Sequence, residues 1–149
     1  MSFTEYGGCH NLADLVPVLA TLTGRGPATG PRRTPSKGPH TLVAYDIAAD
    51  GTCKRRAVLH DFKDHRGIDG MVVDTKGNIY ATAESGERTG VYIFSPAGKQ
   101  LGFIRTPETA TNCTFGDQDL QTLYITAGTS VYKIRTKATG CLVYPVPKR

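Results

Sequence analysis

Strand-like segments recur in this sequence about 40 residues apart. The segment NIYATA at residues 78–83 matches TLYITA at 122–127, and GVYIF at 90–94 matches SVYKI at 130–134. A unit of four short strands that recurs every 40–45 residues or so is typical of a β-propeller blade. We therefore predict that the chain is all-β and forms part of a propeller.

Composition divides the chain at about residue 38. Residues 1–38 end in TGRGPATGPRRTPSKG, which is rich in Gly, Pro, Thr and Arg, and such a composition is typical of loop or disorder. We predict an irregular N-terminal segment there. Residues 39–149 are predicted to form a partial β-propeller of about two and a half four-stranded blades: a blade remnant at 41–62, a blade at 68–106 and a blade at 110–146.

A propeller needs about four blades or more to close its ring. The chain is accordingly expected to be part of a larger gene product, to assemble from several copies, or not to fold by itself. The faces of the end blades would otherwise leave apolar surface in water.

The charge and hydropathy of the chain exclude several classes of partner. The net charge is +5, but the basic residues are scattered rather than grouped on one element with aromatic residues. The longest apolar stretch, LADLVPVLATL, contains Asp14 and Pro17 and is shorter than the roughly 18 residues of a membrane span. The N-terminus lacks the basic region of a secretory signal. We expect no nucleic-acid partner, no membrane association and a cytoplasmic location.

The four cysteines do not form a zinc motif. Cys9, Cys53, Cys113 and Cys141 show no CxxC or similar spacing, which leaves free, partly buried thiols as the expected state. Cys113 has no histidine near it in the sequence, so a nucleophilic role for its thiol has little support.

Five segments resemble, in their order and spacing, the C-terminal part of the gluconolactonase and regucalcin family of six-bladed propellers. They are PHTLVAYDIAADGT, DGMVVDTKGNIYATA, GVYIFSPAGKQLGFIRTPE, TNCTFG and TLYITAGTSVYKIR. The resemblance covers residues 39 to about 140. It implies a metal-dependent hydrolase that opens sugar lactones and related esters, and it implies that the family's first three blades and the start of the fourth have no counterpart here.

Asp69 is the candidate metal ligand. The resemblance implies that the Asp of the DGM segment, which is Asp69, binds a divalent metal ion, with calcium preferred over zinc. Independently of the family, a hard cation takes oxygen ligands, and a carboxylate ahead of an inner strand is well placed to reach a propeller channel. The residues alone equally allow a turn in which the Asp69 carboxylate accepts backbone N–H bonds.

The resemblance also bears on whether this chain is an enzyme. The family's other two protein ligands, a Glu of the first blade and an Asn of the fourth, have no counterpart in this sequence. Enzymatic activity of the chain by itself is therefore left undecided at the level of sequence.

Two further residues are candidates for contacts with the substrate. Asn112 begins the inner strand of the next blade, in register with Asp69, and could bond a substrate hydroxyl or a water beside the metal. Alternatively, the Asn112 side chain forms only a hydrogen bond that closes the end of the strand. His65 lies on the loop before Asp69 and could carry a proton, the alternative being an idle surface histidine. Asp74 and Asn78 are predicted to cap a hairpin turn.

The leading hypothesis is a fragment of a metal-dependent hydrolase whose partner is a small-molecule lactone or ester. The alternative is a non-catalytic calcium-binding or protein-interaction propeller segment whose copies self-associate through exposed blade faces. A third hypothesis is an inactive truncated gene product, which the irregular composition of residues 1–38 favours.

Overall fold

The computed structural model describes residues 21–22, 40–48 and 50–141 of the chain. The strands in these ranges are β1 (Thr21–Leu22), β2 (Thr41–Ile47), β3 (Cys53–Asp61), β4 (Ile68–Val73), β5 (Ile79–Ala83), β6 (Gly90–Phe94), β7 (Gln100–Arg105), β8 (Ala110–Gly116), β9 (Thr122–Ala127) and β10 (Ser130–Arg135). The helical element found there is a 3₁₀ turn at Gly86–Arg88. The predicted all-β class is confirmed. No helix in the described ranges is long and apolar enough to cross a membrane.

The described strands form three antiparallel sheets. Their orders are β1-β2-β3, β4-β5-β6-β7 and β10-β9-β8. The four-stranded sheet runs from Ile68 to Arg105. The end of the blade predicted at 110–146 lies outside the described residues after Cys141, and the division into blades stays a prediction.

The N-terminal segment departs from the prediction at two residues. Thr21 and Leu22 form β1 and pair with Val43 and Leu42 of β2, whereas the sequence predicted an irregular segment throughout residues 1–38. The physical reason is that an edge strand presents a row of unpaired N–H and C=O groups, which even a short extended segment can satisfy. The rest of residues 1–38 lies outside the described part of the chain.

Two hydrophobic cores join neighbouring sheets. The first core lies between the β1–β3 and β4–β7 sheets and includes Leu42, Phe62, Met71 and Phe94. The second core lies between the β4–β7 and β8–β10 sheets and is formed by the buried side chains Val72, Tyr80, Val91, Ala110, Cys113, Phe115, Leu123 and Ile125.

Strand β5 shows why the middle sheet is buried on both faces. All five of its residues are buried. Because side chains alternate across a strand, Ile79, Ala81 and Ala83 reach the first core and Tyr80 reaches the second.

The hairpin between β4 and β5 is capped as the sequence predicted. The Asp74 carboxylate accepts hydrogen bonds from the backbone N–H of Lys76 and of Asn78, both at 2.9 Å, and from the Asn78 amide at 2.8 Å. Gly77 supplies the left-handed φ of 77° that this turn requires.

The thiol prediction is correct at two positions and wrong at one. Cys53 is an exposed free cysteine and Cys113 is a buried free cysteine, whereas Cys141 is disulfide-bonded. Sequence spacing could not show this, because cysteines far apart in the chain can meet in space. Cys9 lies outside the described residues.

Candidate metal centre

Asp69 is the second residue of strand β4 and lies in a β-bulge. Ile68 pairs with Ala83 and Met71 pairs with Ala81, so that Asp69 and Gly70 are displaced from the regular ladder. The sequence placed Asp69 just before the strand, and the structure places it inside this irregularity. A bulge redirects side chains and is common next to active sites, and the Asp69 side chain is 34% exposed.

Gly70 lets the innermost strands of two sheets touch. A Cβ atom on Gly70 would lie 2.3 Å from Asn112 Oδ1 and 2.9 Å from Asn112 Cα. The buried hydroxyl of Thr82 holds the bulge, because it accepts from Gly70 N–H and donates to the Gly70 carbonyl, each at 3.0 Å. Strands β4 and β8 are therefore fixed against each other directly beside Asp69.

Asn112 lies at a second register shift, between Ala110 and Asn112 of β8. It is exposed, and its Oδ1 accepts the backbone N–H of Cys113 at 2.8 Å. The structure thus brings Asn112 against Gly70, the residue that follows Asp69. Whether the amide contacts a substrate stays a prediction.

Arg66 pairs with the Asp69 carboxylate, a contact that sequence reasoning missed. Its Nη2 donates to Asp69 Oδ2. Its Nη1 donates to the backbone carbonyls of Glu84 and Ala110, both at 3.3 Å. The guanidinium therefore joins three strand ends: the start of β4, the residue after β5 and the start of β8. A basic residue three positions before an acidic one in a loop was the available signal, and it is weak.

His65 is tied to Glu84 and Arg88 rather than standing free. Its Nδ1 lies 3.9 Å from Glu84 Oε2, and its Nε2 contacts Arg88 Nη1. The Glu84 side chain is 5% exposed, its buried Oε1 has no hydrogen-bond partner among the residues that the structure describes, and its φ is 66°. Left-handed backbone at a non-glycine residue is uncommon and often marks functional sites. Sequence reasoning did not single out Glu84.

The electrostatics around Glu84 reach into the first core. Burial of the ring raises the pKa of Tyr92, and the negative charge of Glu84 raises it further. The positive charge of Arg88 lowers this pKa by a smaller amount. The Tyr92 hydroxyl donates to the Arg88 carbonyl at 2.9 Å. Glu84 is thus a buried acidic group at the edge of the core, next to the candidate centre.

The oxygen atoms near Asp69 are of the types that bind divalent cations. Within the described ranges, no three His, Cys, Asp or Glu side chains come together as a ligand set. One carboxylate and two backbone carbonyls nevertheless surround the Arg66 guanidinium, and both kinds of oxygen are normal calcium ligands. The cationic group at this position is the Arg66 guanidinium.

Three stacked antiparallel sheets, one of four strands and two of three, with the Asp69 carboxylate at the start of an inner strand, are typical of a β-propeller segment with a candidate metal centre. Residues 38–129 match the family model described as SMP-30/Gluconolactonase/LRE-like region. The chain belongs to this family, which confirms the resemblance seen in the sequence.

Individual relatives agree with this assignment. The chain is 35% identical over 108 residues to a gluconolactonase of Zymomonas mobilis, a match covering 66% of this chain and 29% of the relative. It is 35% identical over 91 residues to a 6-deoxy-6-sulfogluconolactonase of Pseudomonas putida, covering 59% of this chain and 31% of the relative. The chain thus spans about a third of the length of these curated relatives.

Solved structures show the same fold. A gluconolactonase from Xanthomonas campestris superimposes with a TM-score of 0.52 at 35% identity, over 64% of this chain and 30% of that one. A luciferin-regenerating enzyme superimposes with a TM-score of 0.51 at 23% identity, over 59% of this chain and 30% of that one. The second likeness concerns the fold alone.

Proposed function

We propose that this chain is part of a divalent-metal-dependent hydrolase that opens sugar lactones or related esters, with Asp69 as one metal ligand. The observation that carries the proposal is the bulge that sets the partly exposed Asp69 carboxylate at the inner-strand end. The names of the related gluconolactonases support the substrate class. Because the chain spans only part of these relatives, we propose that the remaining ligands come from other copies of the chain in an assembly.

The chain's own residues have distinct roles in this proposal. Asp69 holds the cation, with calcium first and zinc as the second choice, and Asn112 bonds a substrate hydroxyl or a water beside the centre. His65, held between Glu84 and Arg88, is the candidate to accept a proton. A divalent cation, when bound, polarises the ester carbonyl.

Calorimetric titration of the full chain with calcium and with zinc tests the proposal. We expect saturable binding by the wild type that Asp69→Asn loses. Asp119→Asn is the matched control, since it removes the same charge from another carboxylate that pairs with an arginine. Equal heats for the wild type and Asp69→Asn would refute the role of Asp69.

A second candidate function is self-association, with a non-catalytic role in binding calcium or another protein. The described residues include large apolar side chains that are exposed: Val58, Leu101, Phe103, Val131 and Ile134. Val131 is 67% exposed on β10 and Leu101 is 52% exposed on β7. Exposed apolar surface of this kind often marks a protein interface.

Sedimentation at several concentrations tests this second candidate. We expect the average mass to rise with concentration, and we expect Leu101→Lys with Val131→Lys to reduce the rise. Replacement of two residues that are already charged and exposed, Lys54→Glu and Arg55→Glu, is the control for surface changes on another strand. A mass that stays monomeric at all concentrations contradicts self-association.

A further inference from the structure

The oxygen atoms around the Arg66 guanidinium form an enclosure for a cation. Nη2 is bonded to Asp69 Oδ2, and Nη1 is 3.3 Å from both the Glu84 and the Ala110 carbonyl oxygen. These oxygens come from three different strand ends, so the head of Arg66 is held from three directions. Both partners of the ion pair have side chains 34% exposed, so the position is open to ions from solution.

Two cations cannot share this enclosure. Arg stays protonated at every ordinary pH, and a divalent ion placed a few ångströms from it would be strongly repelled. The same carboxylate and carbonyl oxygens are the donors that calcium takes. Occupation by Arg66 and occupation by a divalent ion therefore exclude each other.

We propose that the Arg66 guanidinium is the resident cation of this enclosure, so that a divalent ion reaches Asp69 only when Arg66 leaves. Arg66 is then a positioning residue that sets the metal affinity of the site: it holds Asp69 in place without metal and competes with the metal for the same oxygens. This inference rests on the proposed role of Asp69 as a metal ligand.

Calorimetric titration of arginine variants of the full chain with calcium tests the inference. We expect Arg66→Met to bind calcium roughly twofold to fivefold more tightly than the wild type, the size expected for loss of a partly exposed ion pair. Arg135→Met is the matched control, because Arg135 pairs with Asp119 at 2.7 Å elsewhere on the surface and its loss changes the net charge equally.

Arg66→Gln is a second variant, which keeps the inference testable if Arg66→Met does not fold. It keeps N–H donors for the two carbonyls while removing the charge, and it is expected to tighten calcium binding as well. If Arg66→Met and Arg66→Gln, both folded by circular dichroism, bind calcium as the wild type or Arg135→Met does, the inference is overturned.

A double-mutant cycle without metal separates this inference from the proposed function. In EDTA, each single variant is expected to lower the midpoint of thermal unfolding. We expect the double variant, Arg66→Met combined with Asp69→Asn, to lower it by less than the sum of the two single decreases. Additive falls overturn the pairing itself. If calcium binding depends on Asp69 but has the same affinity in Arg66→Met as in the wild type, the competition by Arg66 is refuted and the metal site is not. If Arg66→Met binds calcium and the wild type does not, the proposed metal site of the native chain is refuted and the competition by Arg66 is not.

Discussion

Asp69 and Asp74 lie five residues apart, and the structure gives their carboxylates opposite environments. Asp74 is 1% exposed and its oxygens are occupied by three N–H donors of its own hairpin. Asp69 is a third exposed and faces a cationic group. The first carboxylate is therefore committed to the fold, and the second is available to a ligand.

Removal of the Asp74 carboxylate should destabilise the chain. Asp74→Ala leaves three part-buried N–H donors of the hairpin without their acceptor, and we expect the free energy of unfolding to fall by about 1–3 kcal/mol, with a smaller loss for Asp74→Asn. Urea denaturation measures both. Asp64→Ala, on an exposed loop, is the matched control and should change stability by less than about 0.5 kcal/mol. Equal losses for the two alanine variants would contradict the account of Asp74.

The raised pKa of Tyr80 leads to a prediction for the stability of the fold at alkaline pH. Burial of its ring, together with the neighbouring Asp74 charge and hydrogen bond, raises its pKa from 10.0 to about 12. Since the folded chain holds this proton more tightly than the unfolded chain, the stabilisation is complete below about pH 10 and is lost as pH rises towards 12.

Urea denaturation at pH 8, 10 and 11 measures this effect. We expect the free energy of unfolding to fall above pH 10 in the wild type and to fall less in Tyr80→Phe, which has no proton to lose there. Burial also raises the pKa of Cys113 to about 12. The ionisation of this thiol therefore lowers the free energy of unfolding at alkaline pH in both the wild type and Tyr80→Phe. The same fall in both proteins would show that Tyr80 is not its source.

At the scale of elements, the site depends on the bulges that open β4 and β8. The repeat predicted individual strands well, since β9 occupies the range 122–127 of a predicted strand-like segment. Strand β4, however, begins at Ile68 and includes Asp69, which the sequence placed ahead of the strand. A bulge adds residues without breaking the apolar pattern of the strand, so the sequence could not show it.

The close contact between β4 and β8 gives a prediction for Gly70. A Cβ atom there would meet the Asn112 backbone as well as its side chain, so Gly70→Ala should force the strands apart and cost about 1–3 kcal/mol of stability. Gly102→Ala is the matched control, because its Cβ would meet only Ile93 Cδ1 at 3.5 Å. Thermal unfolding measures both variants. A Gly70→Ala midpoint equal to that of Gly102→Ala would contradict the contact.

The site itself was only partly predictable. Asp69 was found because the resemblance pointed to the DGM segment, and Asn112 because its strand repeats the register of β4. Arg66 and Glu84 were missed, because their roles depend on a loop path and on the left-handed backbone of Glu84. Neither feature leaves a periodic signal in the sequence.

At the scale of the whole molecule, each core is shared by two sheets. The β4–β7 sheet contributes to both cores, so it depends on a neighbour at each face. The match to relatives is limited to about a third of their length. Among the described residues, the β1–β3 sheet and the β8–β10 sheet each share a core with the β4–β7 sheet alone.

Hydrolysis of glucono-1,5-lactone by the purified full chain is the decisive measurement for the proposed metal-dependent hydrolase. The acid released is followed in calcium, in zinc and in EDTA, at protein concentrations that span any self-association, with Asp69→Asn and Asp119→Asn beside the wild type. We expect a metal-dependent rate above spontaneous hydrolysis that is lost in Asp69→Asn and kept in Asp119→Asn. A rate equal to spontaneous hydrolysis under every condition would contradict the proposed lactone hydrolase activity.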